Sequence, residues 1–591
     1  MVRAVHVRLP LIALTCALTA CTALPGRDVA APIAIGAVQG PGLASPLIGR
    51  TVVVAGVVTL RLHGDGVHTG GVFVQDAGDG DAATSDAVFV QGTGVDALAV
   101  GSAVRVHGRV LELDTGRGSR VTAIDASRGE PIQARSLPAA LAAARWSGTR
   151  EPIEGMRIAF DALHLDAHAD LAEAGTVLAS VGDAPWQVSE RARPRSADAV
   201  ALQAAQDARR VRLDDARLGV PDTTPVWWSP LAAARSGSVL RGVTGVVDHR
   251  DGAYAVHLDA VAAIDAAPRP QAPRIAGRLR IAALNVENLF NGDGAGGGFP
   301  TERGARTQAE FDVQLSKQVA TITALAPDVV ALMEVENDGH GPRSAEGQLV
   351  AALNAAGGAW RGVELAAPIG SDQIRVGLLY RSDRLRPVGR PATLTGGPFD
   401  GRSRVPLAQA FVIATSPGSR GRTNDAFVVV ANHFKSKGCG NAQGLDADQR
   451  DGQSCFNAAR VDSAQRLHRW ITTDPTRSGA TRIALLGDFN AYAQEDPMHW
   501  LREAGWRDAF EVAGVESPYS YVYQGLRGRL DHAMLSEAFA RDLRGAAEWH
   551  VNADEPESQG YRASPQGAAT PWRGSDHDPM VLGFDINGRA P

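Results

Sequence analysis

The stretch Ile483–Tyr492, IALLGDFNAY, constrains this chain more than any other. Four apolar residues, Ile483 to Leu486, give a short buried strand that stops at Gly487. An acid (Asp488), an aromatic (Phe489) and an amide (Asn490) follow, and strand alternation sets Asp488 and Asn490 on one side and Phe489 on the other. A carboxylate and an amide at a strand tip can hold a water and a phosphate oxygen beside a hard cation. Alone, such a tip is more often a strand capped by a turn. Its company changes the reading. Buried runs also end at Asn285 (Arg278–Val286) and Glu334 (VVALMEVEN). His433 follows Phe427–Val430 in ANHFKSKG, Asp531 lies in RLDHAMLS, and Asp576 and His577 lie in SDHDP. Helical spacing over Phe311–Leu325 and Arg460–Trp470 separates some of these runs, which implies a layered α/β core with reactive groups gathered at strand ends.

At 591 residues the chain is too long for one core. A net charge of -6 excludes a surface coated in basic charge, so any polyanion site is local. Lysine occurs only at Lys317, Lys435 and Lys437, and the last two closely follow His433.

The N-terminus reads as an export signal over residues 1–20: Arg3 and Arg8 precede the apolar run Leu9–Ala20, which is too short to span a bilayer. Leu18-Thr19-Ala20-Cys21 resembles a bacterial lipobox, with Cys21 lipidated and an outer-membrane anchor as its consequence; plain secretion after cleavage near Ala20 or Ala23 is the alternative. Cys16 leaves with the signal, so Cys439 and Cys455 are left for a disulfide in an oxidising compartment, against two free thiols as the alternative. Residues 21–46 read as an Ala/Pro/Gly tether. Valine-rich strands over 47–130 imply an OB-like barrel, in which Phe73 and Phe89 read as core rather than as a stacking face. Residues 131–266, with an Ala/Arg-rich middle at Arg191–Arg212, read as a second, irregular β-domain. APRPQAP opens a Pro-rich linker, 267–277, before the α/β part at 278–586.

Taken in order, these motifs resemble the endonuclease/exonuclease/phosphatase superfamily, the metal-dependent fold of DNase I and the abasic-site endonucleases. The closer likeness is to secreted bacterial nucleases of the ExeM/NucH type, on NHFKSKG, the Cys-bounded loop Asp446–Gln453, LDH and SDHDP. The resemblance implies a four-layered, two-sheet DNase I-like sandwich. It implies Asn285, Glu334 and Asp576 as ligands of Mg²⁺ or Mn²⁺, and His577, held by Asp531, as general base or charge partner of the scissile phosphate. His433 becomes a second imidazole at the leaving oxygen, and Asp488 and Asn490 position the attacking water. Arg404, Lys435 and Lys437 bind neighbouring phosphates. The implied reaction is hydrolysis of phosphodiester bonds in extracellular DNA or RNA by a monomer, touching a membrane only through its lipid. Departures are confined to Val405 and Ser454, which carry no chemistry.

Simpler readings stand beside these. His532 fits a packed structural histidine. Asp446, Asp448 and Asp451 could hold a structural Ca²⁺ or merely shape a braced polar loop, and the turn DAGDGDAATSD poses the same choice. A phosphomonoesterase or phospholipid-headgroup diesterase on the same fold is the alternative function; Arg402, Arg420, Arg422, Arg527 and Arg529 weigh toward an extended polyanion instead. A non-enzymatic nucleic-acid-binding surface protein is the remaining one.

Overall fold

The computed structural model describes residues 31–65, 70–92, 94–134, 136–168, 171–219, 221–292, 298–365, 369–414, 425–564 and 569–586. The export signal with Cys16 and Cys21, and Arg420 and Arg422, lie outside the described residues. Among those described, no helix is long and apolar enough to cross a membrane.

The first valine-rich segment forms five strands, β1 (Thr51–Leu62), β2 (Gly71–Gln75), β3 (Ala87–Gly92), β4 (Ser102–Gly116) and β5 (Ser119–Ala134). They close a barrel in the order β1-β2-β3-β5-β4, with β3 parallel to β5. Period-two alternation sends Val72, Val74, Val88 and Val90 inward. The tether expected at 21–46 is corrected from Ile33 onward: Ile33 bridges Val54, and Ile35 and Val38, on the helix Ile35–Gln39, are fully buried in the barrel core. The Ala/Pro/Gly background hid two apolar residues on one helical face.

The domain expected to be irregular is a second closed barrel. Its strands are β6 (Leu141–Ala142), β7 (Arg157–Ala167), β8 (Val177–Ser180), β9 (Arg210–Asp214), β10 (Val239–Arg250) and β11 (Ala253–Asp265). Their order is β10-β11-β9-β8-β7-β6, and β7 also pairs with β10, which shuts the ring. Omitting the short β6, the order is that of the first barrel, and the parallel β9–β11 pair matches β3–β5. Phe73 and Phe89 are buried as expected, but outside the first barrel's own core: with Leu60 and Leu62 they pack on Ala216 and Val246 of the second barrel. An aromatic pair covered by a neighbouring domain has no face left for stacking bases.

The proline-rich segment is a fixed strap rather than a loose linker. Arg269 pairs with Glu555 at 2.7 Å, and Trp549 Nε1 donates to the Pro270 carbonyl at 3.0 Å. Two six-stranded sheets follow. The first combines β12 (Leu279–Leu289), β13 (Val329–Glu336), β14 (Trp360–Gly362), β15 (Ile374–Arg381), β24 (Leu543–Glu548) and β25 (Met580–Phe584), in the order β14-β15-β13-β12-β25-β24. The second combines β16 (Leu385–Thr393), β17 (Arg404–Ile413), β18 (Phe427–His433), β19 (Arg482–Asp488), β20 (Arg507–Asp508) and β23 (Asp531–Leu535), in the order β16-β17-β18-β19-β23-β20. A hairpin of β21 (Tyr521–Tyr523) and β22 (Leu526–Gly528) stands apart. Ile281, Ala283 and Met333 on one sheet meet Val428, Val430 and Leu485 on the other in a shared core. The outer face of the first sheet packs on helices Gln308–Leu325 and Ala345–Ala355, and that of the second on Asn457–Ile471 and Asp496–Glu503. Helix, sheet, sheet and helix make the four layers expected of a DNase I-like sandwich.

Candidate active site

The two sheets bring their parallel central strands to one rim. In the first, β12 and β13 both slip register near the rim, between Asn285 and Leu289 and between Leu332 and Val335. Bulges of this kind re-aim side chains. Glu287, Asn288 and Glu334 take positive φ there, at 52°, 54° and 66°, a costly conformation that clusters at functional sites. In the second, His433 and Asp488 are register partners at the ends of β18 and β19, and Asp488 pairs in turn with Asp531. Gly487 is required by this approach: at φ 127° a Cβ would sit 2.3 Å from the Asn432 carbonyl oxygen.

The side chains converge. Asn285 Nδ2 donates to Glu334 Oε1 at 3.2 Å and to Asp488 Oδ2 at 3.3 Å. His433 Nε2 lies 3.5 Å from Asp488 and 3.9 Å from Glu334. Ligand atoms of Glu334, His433 and Asp488 all fall within 4.8 Å of one another. The Asn490 backbone N–H donates to Asp488 Oδ1 at 2.8 Å, and its side-chain amide donates to the other oxygen at 3.2 Å. His577 Nδ1 donates to Asp531 Oδ2 at 2.6 Å, and Ser520 Oγ donates to the same oxygen at 2.8 Å. Arg404, the register partner of His433, donates to His433 Nε2 at 3.4 Å and pairs with Asp372 at 3.2 Å. Phe489 points the other way as expected, its ring 4.9 Å from Phe434.

The electrostatics are those of crowded, buried acids. Asp488 is pushed up to about 7 by burial, with Asp531 and Glu334 adding to it against the pull of His577. Glu287 is pushed up to about 8 by burial and by the charge of Asp576, and Glu334 is raised for the same two reasons. Burial alone would lower His577, but Asp531 and Asp576 outweigh it and hold the imidazole well above its usual range. His433 goes the opposite way, lowered by burial and then by the Arg404 and His577 charges. Oxygen donors that repel one another in a low-dielectric rim, with one imidazole beside them, fit a hard divalent cation.

Several expectations need correction. Asn285 does not offer an oxygen to that centre: its amide nitrogen faces both carboxylates, while its Oδ1 accepts from the Glu287 backbone N–H at 3.1 Å. Asp576 acts on Glu334 and Glu287 through its charge. Lys437 is not a phosphate contact, because its ammonium is folded inward onto Glu495 at 2.6 Å. Arg529 is likewise spent, between Glu190 and Asp508 at 3.1 and 3.0 Å. In the Asp446–Gln453 loop the carboxylates brace the loop itself: Asp446 accepts from Arg402 and the Ala459 N–H, Asp448 from the Arg450 N–H, and Asp451 from Gln453. The disulfide Cys439–Cys455 braces that loop, with Cα atoms 5.1 Å apart. In the turn between β2 and β3, Asp76, Asp79, Asp81 and Asp86 all accept backbone N–H groups.

His532 is the packed histidine expected, lowered to about 4 by burial and the Arg529 charge, with Nε2 donating to the Ala491 carbonyl at 2.8 Å. Lys435 stays half-buried near Arg404, its Nζ 4.8 Å above the Phe456 ring. Sequence reasoning passed over Glu287 and Tyr521, whose ring lies 4.6 Å from the His577 imidazole. Glu287, two residues past Asn285, carried a signal; Tyr521 gave none until the hairpin was folded beside SDHDP.

The sequence matches no curated protein. Among solved structures it is similar to an endonuclease/exonuclease/phosphatase of Bacteroides vulgatus, at 13% identity over 52% of this chain and 99% of that one, with a TM-score of 0.33. A family protein of Bacteroides thetaiotaomicron gives 14%, 52%, 98% and 0.34. The D. rerio TDP2, solved with a single-strand DNA product, gives 14%, 51%, 97% and 0.31. The assignment rests instead on the family model described as Endonuclease/Exonuclease/phosphatase family, which matches residues 282–577. That span is half of the chain and contains every rim residue described above, and the protein belongs to the endonuclease/exonuclease/phosphatase family.

Proposed function

We propose that the protein is an exported, metal-dependent nuclease of the ExeM/NucH kind that hydrolyses phosphodiester bonds of DNA, with RNA as a second polynucleotide. One observation carries this reading: an acid cluster (Glu334, Asp488) and an imidazole–carboxylate pair (His577, Asp531) meet at one rim. A divalent cation, Mg²⁺ or Mn²⁺, would be held by Glu334 and Asp488 with His433 or Asp576 completing the set, and would supply Lewis-acid polarisation of the phosphate. Asp488 and Asn490 orient the attacking water. His577, fixed in one tautomer by Asp531, faces the scissile phosphate as its charge partner. Arg404 and His433, hydrogen-bonded to each other, would meet the charge that builds on the leaving oxygen.

A polynucleotide suits the mouth of the site better than a small phosphoester does. Arg404 and Lys435 offer cations for neighbouring phosphates. Tyr521 beside His577, and Tyr523 next on the same strand face and 53% exposed, offer rings for bases. Export is supported by the Cys439–Cys455 disulfide, a bond that persists in oxidising compartments. The lipid at Cys21 remains part of this proposal. The test is a panel of plasmid DNA, RNA, an inositol phosphate and phospholipid vesicles, each with Mg²⁺, Mn²⁺ or EDTA. Metal-dependent cutting of DNA supports the reading. Turnover of lipid or inositol phosphate with DNA left intact overturns it in favour of a headgroup diesterase or monoesterase.

A further inference from the structure

The two barrels share one strand order but differ in one connection. Between its second and third strands the first barrel spends residues 76–86 on a turn; the second spends residues 181–209, including helices Val188–Arg191 and Ala197–Arg209. That extra chain, the Ala/Arg-rich stretch of the sequence, is driven into the catalytic domain.

We propose that Glu190, on the first helix of this insertion, is a positioning residue for the active site and that the second barrel thereby completes the catalytic unit. Its side chain is 5% exposed as a residue and makes three hydrogen bonds across the domain boundary. Glu190 Oε2 accepts from the backbone N–H of Ala493 and of Arg529, each at 3.1 Å, and Oε1 accepts from Arg529 Nε at 3.1 Å. Ala493 lies three residues beyond Asn490, and Arg529 two residues before Asp531, the partner of His577. One carboxylate therefore ties together the two loops that deliver the water-positioning amide and the imidazole's orienting acid. Ser189 adds to the hold, its Oγ donating to Glu495 at 2.8 Å and its carbonyl accepting from the Gln494 N–H at 2.8 Å. Asn285 and Glu334 arrive on the other sheet, to which the Glu190 side chain makes no hydrogen bond among the described residues. Loss of the clamp should loosen one side of the site and leave the other intact.

The deciding measurement is hydrogen exchange on the full chain, which does not depend on activity. Glu190→Ala should raise exchange at least ten-fold in peptides covering 488–496 and 526–532, with 282–290 and 329–337 unchanged. Glu190→Gln keeps the volume and one acceptor oxygen, and should show a smaller rise in the same two loops. Exchange as in the wild type, or a rise spread evenly over both sheets, overturns the proposal. The kinetic counterpart rests on the phosphodiesterase reading. There kcat falls about 10- to 100-fold, while KM and the half-saturating metal concentration stay within about two-fold. Arg191→Ala, on the same helix and bound to Ser517 Oγ at 2.8 Å, should leave both readouts unchanged. An inactive wild type would sink the nuclease reading and leave the exchange result to decide the clamp.

Discussion

Replacing Asp531 by Asn removes a unit charge 2.6 Å from His577 Nδ1 while keeping the side-chain volume and an oxygen for Ser520 Oγ. Hydrogen bonds to charged groups contribute about 1.5–3 kcal/mol, which corresponds to roughly a 10- to 100-fold loss in kcat if the imidazole must be held and charged in the transition state. The structure also says how the loss should combine. Asp531 Oδ2 is shared by His577 and Ser520, and Oδ1 has no hydrogen-bond partner among the described residues, so the acid reaches the substrate only through the ring. His577→Ala should cost about 10²- to 10⁴-fold. In that background Asp531→Asn should then cost no more than a few-fold, a residual assigned to Asp488, its cross-strand neighbour. The assay is steady-state cleavage of a fluorogenic oligonucleotide by the two single variants and the double variant. Additive losses would refute the reasoning, because they would require Asp531 to act by a route that avoids His577.

Two further contrasts follow from charge placement. Lys437→Met should lower stability by about 3 kcal/mol in urea unfolding, since it strands the buried Glu495 carboxylate, and leave the salt slope of DNA binding in EDTA unchanged; Lys435→Met should lower that slope by about 1 with little change in stability. In the second barrel, burial would lower His257, but Asp214 and Asp248, both at 2.9 Å, outweigh it and raise the ring to about 9. A folded value above the unfolded one means stability that is full below about pH 6.5 and lost as pH rises through about 9. Relative to His257→Gln that contribution is about 3 kcal/mol, so the gap between the two unfolding curves should close above pH 9; a gap that widens there contradicts the assignment.

A layered α/β core and its rim were legible because buried strands write themselves as apolar runs and each reactive group sits at the end of one; the two-sheet sandwich came from the family resemblance. The pairing of Asp531 with His577 came from the family resemblance of LDH and SDHDP, not from strand position. Directions at the rim were not legible. A bulge and a positive φ decide where Glu334 and Glu287 point, and neither leaves a compositional trace. Lys437 was misplaced because spacing cannot tell an ammonium in solvent from one folded onto Glu495. The second barrel was hidden by its own insertion, whose polar, alanine-rich helices interrupt the strand rhythm between Ser180 and Arg210. The use of the barrels was hidden too. Phe73 and Phe89 on the first dock the second, and Leu178 on the second packs within 3.4 Å of where a Cβ on Gly525 of the catalytic hairpin would lie. Outer faces that could have met nucleic acid serve instead to fasten one domain to the next.

The most direct test of the account is Mn²⁺ binding to the purified full chain, followed by electron paramagnetic resonance in the absence of substrate. Convergence of the rim acids on one cation predicts saturable binding that weakens at least ten-fold in Glu334→Gln, with the fold unchanged by circular dichroism. Equal Mn²⁺ affinity in the wild type and the variant would contradict it.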